Sequence, residues 1–227
     1  GELIWSSLSA GLTIGFSFLA AAYLTTLVAP QYQRAAAAVG YPLGFIFVVL
    51  SHHQLFTENT LEPVIPLLNN RDAKTLRRVF RLWGIVLIGN LIGALGFALL
   101  ASRTPMLEET LRGPLLEMAS TATKGGFWVV GYKAIFAGWL VAMMAWLVAS
   151  TRATGAQILL VWLTTAPISA FGFRHSIAGA VEAFYLAASG VATWSTMIGA
   201  FLVPAILGNI VGGAILVALL NYGQVGD

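Results

Sequence analysis

The 227-residue chain is 58% hydrophobic and 9% charged, with a formal net charge of +3. A soluble domain carries roughly 25% charged residues, so most of this surface faces something other than water, and the chain is read as a polytopic membrane protein. Cysteine is absent, which excludes disulfide frameworks, cysteine–zinc sites and thiol catalysis; the basic residues gather in one short loop and give no sign of a nucleic-acid partner.

No cleavable signal peptide is evident before the first span, and a chain opening on Gly1 is expected to lack native residues in front of it. A spanning helix needs about 20 apolar residues to cross roughly 30 Å of hydrocarbon. Trp5–Val28 qualifies as the first span. Ala35–Leu50 is apolar but runs into the polar stretch Ser51–Thr60, S-H-H-Q-L-F-T-E-N-T, before resuming as Thr60–Leu68 with Pro63 and Pro66. Val79–Ala101 and Phe127–Ser150 are the third and fourth spans. Ala156–Phe171 runs into Gly172-Phe173-Arg174-His175-Ser176 and resumes as Ile177–Ala188. Trp194–Tyr222 is last, with Pro204 inside it, which a bundled membrane helix tolerates. The pattern predicts one all-α integral membrane domain over 1–227, with six transmembrane helices, the second and fifth each broken at mid-membrane into two half-helices.

Arg71, Lys74, Arg77, Arg78 and Arg81 crowd the loop between spans two and three. The next loop dilutes Arg103, Arg112 and Lys124 with Glu108, Glu109 and Glu117. The dense cluster is expected on the cytoplasmic side, with both termini.

The motif Gly89-Asn90-Leu-Ile-Gly93-Ala returns as Gly208-Asn209-Ile-Val-Gly212-Gly. Counting back 33 positions from each leading glycine reaches Phe56 and His175, one inside each break. Three spans followed by three more, about 1–102 and about 126–223, imply an inverted 3+3 repeat of the kind that places a solute path at its interface. Close helix packing alone would explain the glycines, but not the matched spacing of the breaks.

Backbone that leaves a helix inside a bilayer survives only when buried in protein or lining a water-filled path. The breaks therefore predict a pore, with half-helix N-termini that favour anions. Thr60 and Ser176 open the second half-helices, where their hydroxyls can cap the helix or touch solute. His175, ionisable at the expected midplane, is the leading functional candidate, its bland reading being a structural hydrogen bond to the facing loop. Arg174 must point to an interface, a water-filled vestibule or a carboxylate; Glu58, Glu62 and Glu182 are the carboxylates on offer, and a structural ion pair is the preferred reading. His52 and His53 with Glu58 invite a metal reading, but adjacent histidines point differently, so support of the loop backbone is preferred and no metal is expected. Lys133, inside span four, is expected to snorkel to the outer surface.

L-F-T-E-N-T-L in the first break, F-R-H-S-I-A in the second and G-N-I-V-G-G in span six resemble the formate/nitrite transporter family, in register over nearly the whole chain. The resemblance implies an aquaporin-like protomer in a homopentamer in a bacterial-type inner membrane. It implies small monovalent anions or their weak acids as solutes, such as formate, nitrite or hydrosulfide, and no cofactor. It places the family's central histidine on His175, the first-break threonine on Thr57 and the span-six asparagine on Asn209. Pore-narrowing residues fall on Tyr41, Phe45, Phe56, Val141 and Ile168. This chain departs from the pattern in having Arg174 and Gln54 for the acids at the two breaks and Gly138 for an asparagine. Ala122 stands near the place of the vestibule lysine, with Lys124 closest. These departures mark a divergent branch. In the expected mechanism an anion enters a basic vestibule, with Arg174 as attractor, and takes a proton that His175 supplies or organises. The neutral acid then passes two apolar slits. The alternatives are a channel for another small neutral solute or a non-conducting scaffold or sensor; an enzyme is not expected.

Overall fold

The computed structural model describes residues 1–60 and 72–218, and within them every regular element is helical. In order they are α1 Glu2–Thr13, α2 Gly15–Thr26, α3 Gln33–Gly40, α4 Pro42–Leu50, α5 Ala73–Arg103, α6 Glu109–Thr123, α7 Gly126–Ala149, α8 Thr154–Ala170 and α9 Ser176–Ala188. The last stretch runs through Trp194–Thr196, a π-wound Met197–Leu202, α10 Val203–Ile210 and a second π-wound piece, Val211–Ala218. Among the described residues, five stretches are long and apolar enough to cross a membrane: Glu2–Thr26, Pro30–Leu50, Ala73–Arg103, Gly126–Ala149 and Trp194–Ala214. The shorter apolar helices α8 and α9 add to them. The expected half-helix Thr60–Leu68 past its first residue, with Glu62, Pro63 and Pro66, lies outside the described residues, as do Arg71 and the end of the last span at Tyr222.

Two expectations about loops are corrected. Lys74, Arg77, Arg78 and Arg81 lie on the first turns of α5 rather than in a loop. Asp72 starts that helix by accepting the Thr75 N–H at 2.8 Å and the Thr75 hydroxyl at 2.7 Å. These bonds hold the Asp72 carboxyl below its ordinary value, and the cap lets the helix begin at Ala73, six residues before Val79. The segment between spans three and four contains α6, although Pro114 lies inside it. Tertiary packing overrides the proline: Leu115 and Ala119 are buried where α6 lies on α2 and α9.

α9 is the axis of the bundle. Every residue from Ser176 to Ala188 is buried, so this helix has no face for lipid. At 13 residues it reaches about 20 Å, too short to cross a bilayer alone. Around it α1 packs on α5 and α7 packs on α10, through glycines at the closest approaches.

α4 and α8 end in the same way. Ser51, His52 and His53 donate their N–H groups to Phe47, Val49 and Val48, while Phe171, Gly172 and Phe173 donate theirs to Pro167, Ser169 and Ile168. Both are Schellman turns, which require one residue in the left-handed region. That residue is Gly172 with φ +67° in the second turn, and His52 with φ +53° in the first. A side chain there costs about 1 kcal/mol. His52→Gly is therefore expected to raise the thermal unfolding temperature of the detergent-solubilised protein, and Gly172→Ala to lower it. A His52→Gly variant that melts lower, or a Gly172→Ala variant that melts higher, would show that the left-handed residue is not what limits that turn.

Candidate functional site

After each Schellman turn the chain runs on in non-helical conformation, and one asparagine holds it there. Asn90 accepts the Phe56 N–H at 2.8 Å, and its amide donates to Ser7 O at 2.7 Å and Gln54 O at 2.9 Å. Asn209 accepts the Ser176 N–H at 2.8 Å and donates to Ala134 O at 2.8 Å and Arg174 O at 2.9 Å. Both side chains are fully buried. These bonds pair Phe56 with Ser176, not with His175 as equal spacing from the glycines suggested. The second break is one residue closer to its asparagine, because turn geometry sets the register rather than sequence distance. Gly11 and Gly138 complete the correspondence: a Cβ on the first would meet the Asn90 carbonyl, and on the second the Asn209 carbonyl. Gly138, in place of the family's expected asparagine, is thus a position where α7 touches backbone and has no room for a side chain.

The breaks meet at one hydrogen bond, Thr57 Oγ1 to His175 Nε2 at 2.7 Å. His175 Nδ1 accepts the Ala178 N–H at 3.0 Å, so the imidazole itself caps α9. With Nδ1 accepting, the proton of the neutral ring sits on Nε2 and is donated to Thr57. Thr57 is fully buried and His175 2% exposed. Ser176, expected to cap or touch solute, leaves the cap to His175, and its buried Oγ has no partner among the described residues. Thr60 donates its hydroxyl back to Thr57 O at 2.7 Å, which braces the threonine from below.

The apolar candidates surround this pair. The Phe45 ring stands edge-on to the His175 ring at 4.9 Å between centroids, and Tyr41 lies 5.4 Å from Phe45. Tyr41, Phe45, Phe56, Val141 and Ile168 are all buried. Tyr41, Ile168, His175 and Arg174 line a first cavity of about 450 Å³, roofed by α6. A second cavity of about 330 Å³ lies beside His52, His53, Gln54 and Glu58. The backbone of both histidines serves the first turn, and the described residues contain no cluster of three His, Cys, Asp or Glu fit to hold a metal ion.

Arg174 forms no ion pair among the described residues. Its Nη2 instead donates to Thr121 O at 3.0 Å and Lys124 O at 3.4 Å, at the C-terminal end of α6. Carbonyls at a helix C-terminus carry partial negative charge, so they replace the expected carboxylate. Gln54 secures the other break by accepting from Asn59 Nδ2 at 3.0 Å. The Lys124 side chain is exposed and outside the cavity lining, whereas Lys133 lines the cavity instead of only snorkelling past it.

Sequence reasoning missed two residues here. Asn90 was visible only as half of a repeated motif, and that repeat was the signal that it mirrors Asn209. Phe201, 1% exposed and lining the first cavity against Gly179, gave no signal. It belongs to the π-wound turn Met197–Leu202, which the pattern of apolar residues does not reveal.

A family model described as formate/nitrite transporter matches residues 1–223. The chain is 33% identical over 224 residues to the inner membrane protein YfdC of Escherichia coli, covering 98% of this chain and 72% of that protein. It is 30% identical over 246 residues to a probable formate transporter of Methanothermobacter thermautotrophicus, covering 93% of this chain and 88% of the other. A solved structure described as a pentameric formate channel with formate bound shares its fold, with a TM-score of 0.82 at 23% identity over 100% of this chain and 97% of that one.

Proposed function

The chain belongs to the formate/nitrite transporter family, and on that premise we propose that it is a membrane pore for small monovalent anions or their weak acids, centred on His175. The observation that carries the reading is the Thr57–His175 hydrogen bond, which joins the two breaks at the centre of the bundle. The proposed architecture is six spans in an inverted 3+3 repeat. It is supported by the paired Schellman turns and by the two asparagine clamps with their facing glycines. The proposed assembly is a homopentamer, by analogy with the pentameric formate channel of the same fold. The proposed location is the inner membrane. Both termini are cytoplasmic, on the side of Lys74, Arg77, Arg78 and Arg81, which makes the cavity under α6 the outer vestibule.

In this reading Tyr41, Phe45, Ile168 and Phe201 form the outer slit, and Phe56 and Val141 the inner one. A bare anion pays several kcal/mol to enter such a slit, while a neutral acid does not. Arg174 and Lys133 draw the anion into the vestibule. His175 organises the centre rather than supplying a proton: its Nε2 proton goes to Thr57, whose own hydroxyl proton is then free to hydrogen-bond the solute. The acid's proton comes from the solvated protons (hydronium or buffer acid) of the entry side, and is given back to solvent when the acid ionises on the far side. Apolar slits exclude hydrated ions.

The test is uptake into proteoliposomes of labelled formate and nitrite, with urea as a neutral solute and sulfate as a dianion. Uptake of the two monoanions above protein-free liposomes, with sulfate excluded, is the expected result. Urea uptake without the monoanions would favour a neutral-solute channel and end this reading.

A further inference from the structure

The first turns of α5 gather positive charge that the fold does not answer. Arg77 and Arg78 follow Lys74 by three and four residues, and Arg81 follows them by four and three, so the four share one face of the helix. All four are exposed. α5 contains no acidic residue, and the ion pair found among the described residues, Arg112–Glu109, lies elsewhere. Cations at a helix N-terminus also oppose the helix dipole, so the cluster does not serve the stability of α5. The buried side of the helix is formed by Val79, Val86, Asn90 and Gly93. Past the cluster, the outward face continues as Ile88, Ile92 and Leu99, which are 61%, 55% and 39% exposed. At 1.5 Å per residue the cluster is about 10 Å long, and Ile88 and Ile92 lie about 10 Å and about 16 Å beyond Arg81. Charge is thus followed directly by bare apolar surface to the depth of one leaflet, roughly half of the 30 Å hydrocarbon core.

We propose that this face of α5 is a binding site for an anionic phospholipid of the adjoining leaflet. Arg77, Arg78 and Arg81 hold the lipid phosphate, whose oxygens suit the planar fork of a guanidinium, and Lys74 adds charge beside them. The acyl chains lie along Ile88 and Ile92. Basic clusters next to a spanning helix attract acidic lipids by this chemistry. A neighbouring copy of the chain is a poor match in charge for the same face. Glu108, Glu109 and Glu117 lie past the far end of α5, and Glu182 is buried within the bundle. That leaves Glu2 and Asp72 as the exposed carboxylates at this end among the described residues, and Asp72 already caps α5. The proposal depends on α5 crossing the membrane and not on what the pore admits.

Native mass spectrometry of the delipidated full chain in detergent tests this, with phosphatidylglycerol and phosphatidylcholine of the same acyl chains as ligands. Phosphatidylglycerol is expected to bind at least tenfold tighter. The triple variant Arg77→Gln, Arg78→Gln, Arg81→Gln is expected to bring the ratio close to one and to leave phosphatidylcholine binding unchanged. Arg78→Gln with Arg81→Gln repeats the test if the triple variant does not fold. Arg103→Gln, Arg112→Gln and Lys124→Gln together remove the same charge away from the cluster, and are expected to keep the preference. In thermal unfolding, phosphatidylglycerol is expected to raise the midpoint and inorganic phosphate at equal concentration to leave it unchanged. Equal binding of the two lipids, a preference that survives loss of the cluster, or its equal loss in the control would overturn the proposal. So would stabilisation by phosphate alone, which would make the cluster a site for a free anion. A triple variant that loses its oligomer, beside an unaltered protein without lipid preference, would give this face to a second copy and overturn the proposal equally.

Discussion

Replacing Asn209 by leucine is expected to cost several kcal/mol and to leave little folded protein. The side chain is fully buried and satisfies three backbone groups: the Ser176 N–H and the carbonyls of Ala134 and Arg174. An orphaned buried group costs about 1–3 kcal/mol. Ala134 lies inside α7, where its carbonyl keeps an intrahelical partner, so the loss there is smaller. A total of about 3–5 kcal/mol is a large part of the 5–15 kcal/mol that typically separates folded from unfolded states. Asn209→Asp keeps the acceptor for Ser176 but turns two donors into lone pairs that face carbonyls, so it is expected to fare little better. Asn90→Leu is expected to match Asn209→Leu, because Asn90 makes the corresponding three bonds. The control is Met144→Leu, a buried swap of similar volume, expected to cost under about 1.5 kcal/mol. Thermal unfolding and the yield of monodisperse protein in detergent measure all four. An Asn209→Leu variant that melts with the unaltered protein would show that the clamp does not hold the break.

The second large effect is on transport, at Thr57. Thr57→Val keeps the shape and removes the hydroxyl that receives the His175 Nε2 proton at 2.7 Å. The ring then has a buried donor without an acceptor, and the solute loses the hydroxyl expected to meet it. Formate uptake is expected to fall at least tenfold, equivalent to about 1.4 kcal/mol on the barrier, and the orphaned ring donor is expected to lower stability by about 1–3 kcal/mol. Thr57→Ser is expected to restore uptake, since it restores the hydroxyl. His175→Ala is expected to abolish uptake and also to destabilise the fold by about 1 kcal/mol, because the imidazole caps α9. Recovery of both uptake and stability in Thr57→Ser separates loss of the hydroxyl from loss of side-chain shape. Full uptake by Thr57→Val would remove the hydroxyl from the mechanism.

The membrane class and the helical character were legible because apolar runs are local properties of the chain. So, to within one residue, was the place where the fifth span leaves the helix: Gly172–Ser176 reads as an interruption, and the chain is non-helical between Ala170 and Ser176. Arg174 shows where such reading fails. A carboxylate was the natural expectation for a buried guanidinium, but the partners are carbonyls at the end of α6, a helix that was itself expected to be a loop. Both errors have one origin. α6 is held by burial of Leu115 and Ala119 against distant helices, and no window of sequence records that burial. The Ser51–Thr60 stretch was similarly uneven. Its histidines draw attention but serve first as the end of a turn, while Thr57 carries the bond to the facing break.

By itself, then, the sequence determined the solvent this protein lives in, its all-helical build and its family, since these follow from composition, from periodicity and from motifs read one after another. Only the tertiary structure decided that Thr57 reaches His175 across 118 positions, that Asn90 and Asn209 are clamps, and that Arg174 and Glu182 share a cavity without closing on each other. A hydrogen bond acts over about 3 Å, so its partners exist only once the helices that carry them have packed.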